Sequence, residues 1–141
     1  MKNRFKNYFY HCLGAIFIFL NKVRYSIEGY KTPRPFGIKN YKICIDYDFG
    51  VVDGWLNELH DLIDSTFSIK GKNILELGPG ADLGVGLILL AKGARKYNAI
   101  DINPLVYKVP KGFYDSLLDE ITKRIPGANI NDLKYTLKYK I

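Results

Sequence analysis

Residues 73–102 constrain the fold of this chain more than any other stretch. Asn73–Leu77 (NILEL) is a short apolar run bounded by turn signals, the pattern of a buried parallel strand. The glycine-rich turn Gly78–Gly80 follows, and Leu83–Ala94 then reads as an apolar helix stopped near Gly93. Tyr97–Ile102 (YNAIDI) is the second strand, and Asn103-Pro104 ends it, since proline has no N–H to donate to a ladder. Strand, helix and strand in about thirty residues make one βαβ unit, for which a right-handed crossover is expected. A chain built around such a unit belongs to the α/β class.

The rest of the chain is arranged around that unit. Its 141 residues make room for one domain, and 48% hydrophobic against 25% charged residues is a globular balance rather than a disordered one. Residues 28–42 contain Pro33, Pro35 and two glycines and read as a linker or extended arm, with Ile43–Tyr47 a short extended segment. Val51–Thr66 shows helical periodicity, with Val52, Trp55, Leu56, Leu59, Leu62 and Ile63 forming the apolar stripe and Asp48 or Asp53 available to cap it. After the unit, Phe113–Arg124 is again amphipathic, with Phe113, Leu117, Leu118 and Ile121 on one side, and Pro126-Gly127 ends it. Leu133, Tyr135, Leu137, Tyr139 and Ile141 alternate with polar residues, which predicts a last strand with one wet face. The expected organisation is an apolar, basic-flanked helix over residues 1–27, an arm over 28–50 and a sheet-containing domain over 51–141.

Tyr8–Leu20 is apolar all round, with Lys2, Arg4 and Lys6 before it and Lys22 and Arg24 after it. Thirteen helical residues span only about 20 Å, short of the roughly 30 Å hydrocarbon core, so a transmembrane helix is not expected. No small-x-small cleavage site follows, which also removes the signal-peptide reading. Two readings remain: a core or docking helix, or an interfacial anchor whose basic flanks meet anionic lipid. The net charge of +7 is spread unevenly: residues 1–42 carry nine Lys/Arg against the single acid Glu28. The excess at the chain's ends suits an anionic membrane surface for residues 1–25, and nucleic acid is not favoured. Cys12, Cys44, His11 and His60 make no disulfide framework or metal-ligand spacing, and a reducing cytoplasm is the simplest setting, with peripheral membrane association as the variant.

The chemistry is concentrated at the glycine turn. Gly78 and Gly80 let the backbone turn sharply off the strand and approach a ligand, and the following helix start favours negative charge. Asp101, 21 residues after Gly80, stands where an acid can accept hydrogen bonds from a ribose diol. A dinucleotide fingerprint needs a third glycine at position 83, which is leucine, and the Walker Lys-Ser/Thr is missing. Glu76, at the carboxyl end of the first strand, could receive the ammonium of an amino-acid ligand. A nucleoside joined to an amino acid describes S-adenosyl-L-methionine (SAM).

Ile74–Gly84 resembles motif I of class I SAM-dependent methyltransferases, and Tyr97–Asp101 resembles their second motif. The resemblance covers about residues 70–105. It implies an incomplete Rossmann-like methyltransferase sheet of about three strands with flanking helices, preceded by an N-terminal helical or extended arm. It also implies that Glu76, Gly78, Pro79 and Gly80 line the methionine end of SAM, Asp101 holds the ribose and Ile102 lies along the adenine. Asp82 stands where the family's third glycine is common, and is expected to cap the helix; Gly84 and Gly86 read as helix-packing glycines. Only some forty residues follow Asp101, so the family's acceptor-binding strands are absent and no catalytic base is nominated. The chain is therefore expected to be a SAM-binding methyltransferase domain, truncated or partial. The alternatives are a non-catalytic membrane-associated module carrying a relic of the fold and, more weakly, an NAD-binding dehydrogenase fragment.

Overall fold

A computed structural model describes residues 2–29, 39–103 and 105–139. The chain divides into two units that part between residues 33 and 34. The first contains one helix, α1 (Lys2–Glu28), ended by Gly29 at φ +70°, whose N–H donates to the Tyr25 carbonyl at 2.9 Å. A left-handed residue just past the last turn is the usual glycine stop. At 27 residues the helix is about 40 Å long and takes in the basic flanks as well as the apolar run. Among the described residues no helix is long and apolar enough to cross a membrane.

The second unit is mixed α/β, and its sheet has two parallel strands. Helix α2 (Tyr41–Leu62) comes first. Strand β1 (Asn73–Leu77), helix α3 (Gly84–Ala91) and strand β2 (Lys96–Ile100) make the βαβ unit, within a residue or two of the expected limits. The register runs from Asn73 opposite Lys96 to Leu77 opposite Ile100. A 3-10 turn (Leu105–Lys108), helix α4 (Lys111–Arg124) and helix α5 (Ile130–Tyr139) complete it. Helix α3 is apolar on every side because it is buried on every side: it lies against α2, α4, α5 and β2.

Four sequence expectations are corrected. Ile43–Tyr47 is helical rather than extended, and α2 begins ten residues before Val51. Asn40 caps it, its side chain accepting from the Ile43 N–H at 3.4 Å, so neither Asp48 nor Asp53 does. The proline-rich arm lies largely in residues 30–38, outside the described residues. The buried face of α2 is Cys44, Ile45, Phe49 and Val52, whereas Trp55, Leu62 and Ile63, expected in the stripe, are exposed. The fourth correction is the last strand, which is helix α5, leaving two strands among the described residues instead of about three. Leu133 and Leu137 are two apart in the alternation but also four apart, and with Ile130 they fit a helical stripe. Asn129 and Asp132 cap that helix reciprocally, the Asp132 N–H donating to Asn129 Oδ1 and Asn129 Nδ2 to the Asp132 carboxylate at 2.7 Å. Leu133 is buried and Tyr135 is exposed, which a strand face would not allow.

The core sits between α2, α3 and α4, with Ile45, Val52, Ile88, Phe113, Leu117 and Ile121 fully buried. Each such side chain contributes about 1.5–3 kcal/mol by leaving water. Phe113 meets Tyr41 and Tyr114 edge to face, at ring distances of 6.0 and 5.3 Å. Arg124 ties α4 to α2 through Asp46 at 2.5 Å and lies over the Phe49 ring. All of this helical mass leaves Leu75, Leu77 and Ile100 of the sheet exposed.

Candidate functional site at the glycine turn

The turn leaves β1 through two glycines with positive φ, Gly78 at +73° and Gly80 at +83°. Any other residue would be strained there. The Gly78 N–H donates to the Ile100 carbonyl at 2.8 Å, carrying the ladder one step beyond the strand. Parallel pairing in this register then brings the turn beside Asp101. One carboxylate oxygen of Asp101 accepts from the Gly80 N–H at 3.4 Å, the other from the Asn103 N–H at 2.8 Å. Asp101 therefore couples the turn to the end of β2. The longer contact is weak, and each carboxylate oxygen keeps accepting capacity for a ligand.

Glu76 is half-buried and accepts from the Tyr97 hydroxyl at 2.6 Å. Burial pushes the Glu76 carboxyl above its ordinary value; the Tyr97 hydrogen bond opposes that shift and the charge of Asp82 adds to it. Burial and the same carboxylate push the Tyr97 hydroxyl far above its usual range. Asp82 is buried and its Oδ1 accepts from the Gly84 N–H at 2.8 Å, so it holds the start of α3 from one residue before the cap position, which Leu83 occupies. Asp48, fully buried on α2, faces the same point: a Cβ on Gly84 would collide with its Oδ2 and lie 3.0 Å from Asp82 Oδ1. Gly86 similarly admits the ring of Tyr97, so both glycines serve packing rather than ligand contact. Tyr114 on α4 approaches Leu83 and these acids, and burial with the neighbouring Asp82 charge pushes its hydroxyl up to about 12.

A groove of about 670 Å³ runs along β2 from Arg95 to Asp101, walled by Leu83, Leu87 and Tyr107. Of the expected site residues, Pro79, Asp101 and Ile102 line it; Glu76, Gly78 and Gly80 do not. Ile102 is 95% exposed, so its side chain forms a free lip rather than a wall. The site thus has two parts, an open groove along β2 up to Asp101 and a polar cluster around Glu76. Sequence reasoning missed Asp48, Tyr97 and Tyr114 as members of that cluster. The signal for Asp48 was an acid inside the apolar positions Cys44, Ile45, Phe49 and Val52 once the helix is started at Tyr41. No group of acids, histidines and cysteines suited to a metal ion occurs among the described residues. Compared with protein-family models, curated proteins and solved structures, the chain matches none.

Proposed function

We infer that the β1–α3–β2 unit binds SAM in the manner of a Rossmann-like, class I methyltransferase domain. The observation that carries this reading is the pair of carboxylates at the two-glycine turn, Glu76 near the end of β1 and Asp101 just past the end of the neighbouring parallel strand β2. Asp101 would accept the ribose hydroxyls, with Gly80 and Asn103 N–H groups holding it in place. Glu76, kept partly out of water and steadied by Tyr97, would face the methionine ammonium, whose charge would offset the cost of ionising a half-buried acid. Gly78 and Gly80 would let the ligand approach the backbone, with Pro79 between them on the groove wall. The groove along β2, with Asp101 and Ile102 at its end, has room for the adenine. Cofactor binding is the activity these residues support. Methyl transfer needs the acceptor held in line with the sulfonium methyl, and no acceptor-holding residue is nominated among the described residues.

Calorimetric titration of the folded chain with SAM, S-adenosylhomocysteine and NAD tests this function. Heat is expected with the first two only. Asp101→Ala removes two charge-assisted hydrogen bonds, worth about 1.5–3 kcal/mol each, and should weaken binding at least tenfold. Gly80→Val should abolish it. Absence of heat with SAM from a demonstrably folded wild type, or preference for NAD, would overturn the assignment.

A further inference from the structure

We propose that α1 is an interfacial anchor that lies on an anionic lipid bilayer. The helix places Phe9, Leu13, Ile16, Leu20, Val23 and Ile27 at alternating steps of four and three residues, which puts them on one face. All six are exposed, and Phe17 and Phe19 beside them are each 65% exposed. No Asp, Glu, Lys or Arg occurs between Lys6 and Lys22, whereas Lys2, Arg4 and Lys6 precede that stretch and Lys22 and Arg24 follow it. An apolar face with cations at both ends needs a partner that is apolar in its interior and negative at its surface.

The charges choose between the available occupants. A second copy of α1 packed parallel would set Lys6 against Lys6 and Arg24 against Arg24. Packed antiparallel, it would set the cations of one end against those of the other. Glu28 is the helix's one acid and cannot compensate five bases. Both arrangements place like charges together, which opposes pairing. Crossing the bilayer is not available either, since no described helix is long and apolar enough. A helix lying in the headgroup plane, however, puts every one of these cations beside lipid phosphate. Such an anchor would hold the glycine-turn domain near a membrane without depending on what that domain binds.

Co-sedimentation of the full chain with phosphatidylcholine vesicles, with and without one-third phosphatidylglycerol, tests the anchor. Binding is expected only to the anionic vesicles. Raising salt from about 0.1 M to about 1 M shortens the Debye length from about 10 Å to about 3 Å and should release the chain. Neutralising Lys6, Lys22 and Arg24 together to Gln should lower the partition coefficient about a hundredfold, at about fivefold for each cation. A Phe17→Trp reporter in a Trp55→Phe background should shift its emission to the blue on binding. Equal binding to both vesicle types, or unchanged binding by the triple variant with helicity intact, would overturn the proposal. So would a lipid-free dimer broken by Leu13→Asp in a chain that binds neither vesicle.

Discussion

Replacing Gly86 and Gly54 by alanine should move stability in opposite directions, although both are interior helix glycines. Alanine is favoured over glycine in a helix by about 0.8–1.0 kcal/mol. At Gly54, in the middle of α2, nothing lies within 4 Å of the added methyl, so the propensity gain should appear almost whole. At Gly86 the same methyl meets Tyr97 Cε1 and Cζ, with Cδ1 at 2.6 Å. The ring cannot retreat freely, because its hydroxyl is held by Glu76 at 2.6 Å. Overpacking costs about 1–3 kcal/mol, and displacing Tyr97 also weakens its hydrogen bond to the Glu76 carboxyl, worth up to about 1.5–3 kcal/mol when fully lost. Less the propensity gain, Gly86→Ala should destabilise the domain by about 1–3 kcal/mol. For a domain of this size 1 kcal/mol is about 4–8 °C, so the midpoint should fall by about 5–20 °C while Gly54→Ala raises it by several. Trp55, the sole tryptophan, sits on α2 and reports this unit in urea unfolding. Combining Gly86→Ala with Tyr97→Leu should recover part of the loss, a coupling of about 0.5–3 kcal/mol in a double-mutant cycle. If Gly86→Ala stabilised the chain as Gly54→Ala does, the close packing of α3 on Tyr97 would be refuted.

Three further outcomes follow from the site and the core. Because burial raises the Glu76 carboxyl above 4.5, the folded state binds its proton more tightly than the unfolded state, and this acid lowers stability as pH rises through that range. Glu76→Gln should therefore stabilise the chain at neutral pH, by less than about 1 kcal/mol since the group is partly exposed, with the gain fading below pH 4.5 in pH-dependent urea unfolding. Under the proposed function the same variant should weaken SAM binding, so a stabilised protein with unchanged SAM affinity would remove Glu76 from the site. Leu133→Ala should cost about 2–5 kcal/mol, because Leu133 is 4% exposed, whereas Tyr135→Ala, at a position 59% exposed, should change stability by less than about 0.5 kcal/mol. Equal losses by thermal circular dichroism would restore the strand over these residues. Phe113→Ala should cost about 3–5 kcal/mol by the same measurement, because it empties the point where α2 and α4 meet.

The βαβ unit was legible in the sequence because its signals are local. NILEL is bounded by Gly71 and Gly78, KYNAI by Gly93 and Asn103-Pro104, and GVGLILLA is too uniformly apolar to be anything but buried. Once the two strands pair in parallel, Asp101 must stand beside Gly80, so that half of the site could be read from spacing alone. Where two local patterns coincide, only packing decides. Leu133 and Leu137 satisfy a period of two and a step of four equally, and burial of Leu133 beside α3 and α4, with Asn129 as cap, selects the helix. Pro33, Pro35 and the glycines of residues 28–42 pointed to an arm, but burial of Cys44, Ile45, Phe49 and Val52 on one face carries the helix back to Tyr41 through two interior glycines, Gly50 and Gly54. The convergence of Asp48, Asp82, Tyr97 and Tyr114 on the start of α3 is likewise a tertiary fact. These residues come from α2, the turn, β2 and α4, and no spacing along the chain records that they meet. Sequence determined the turn and its acid; the burial that sets how those groups hold their protons came from helices packed from elsewhere in the chain.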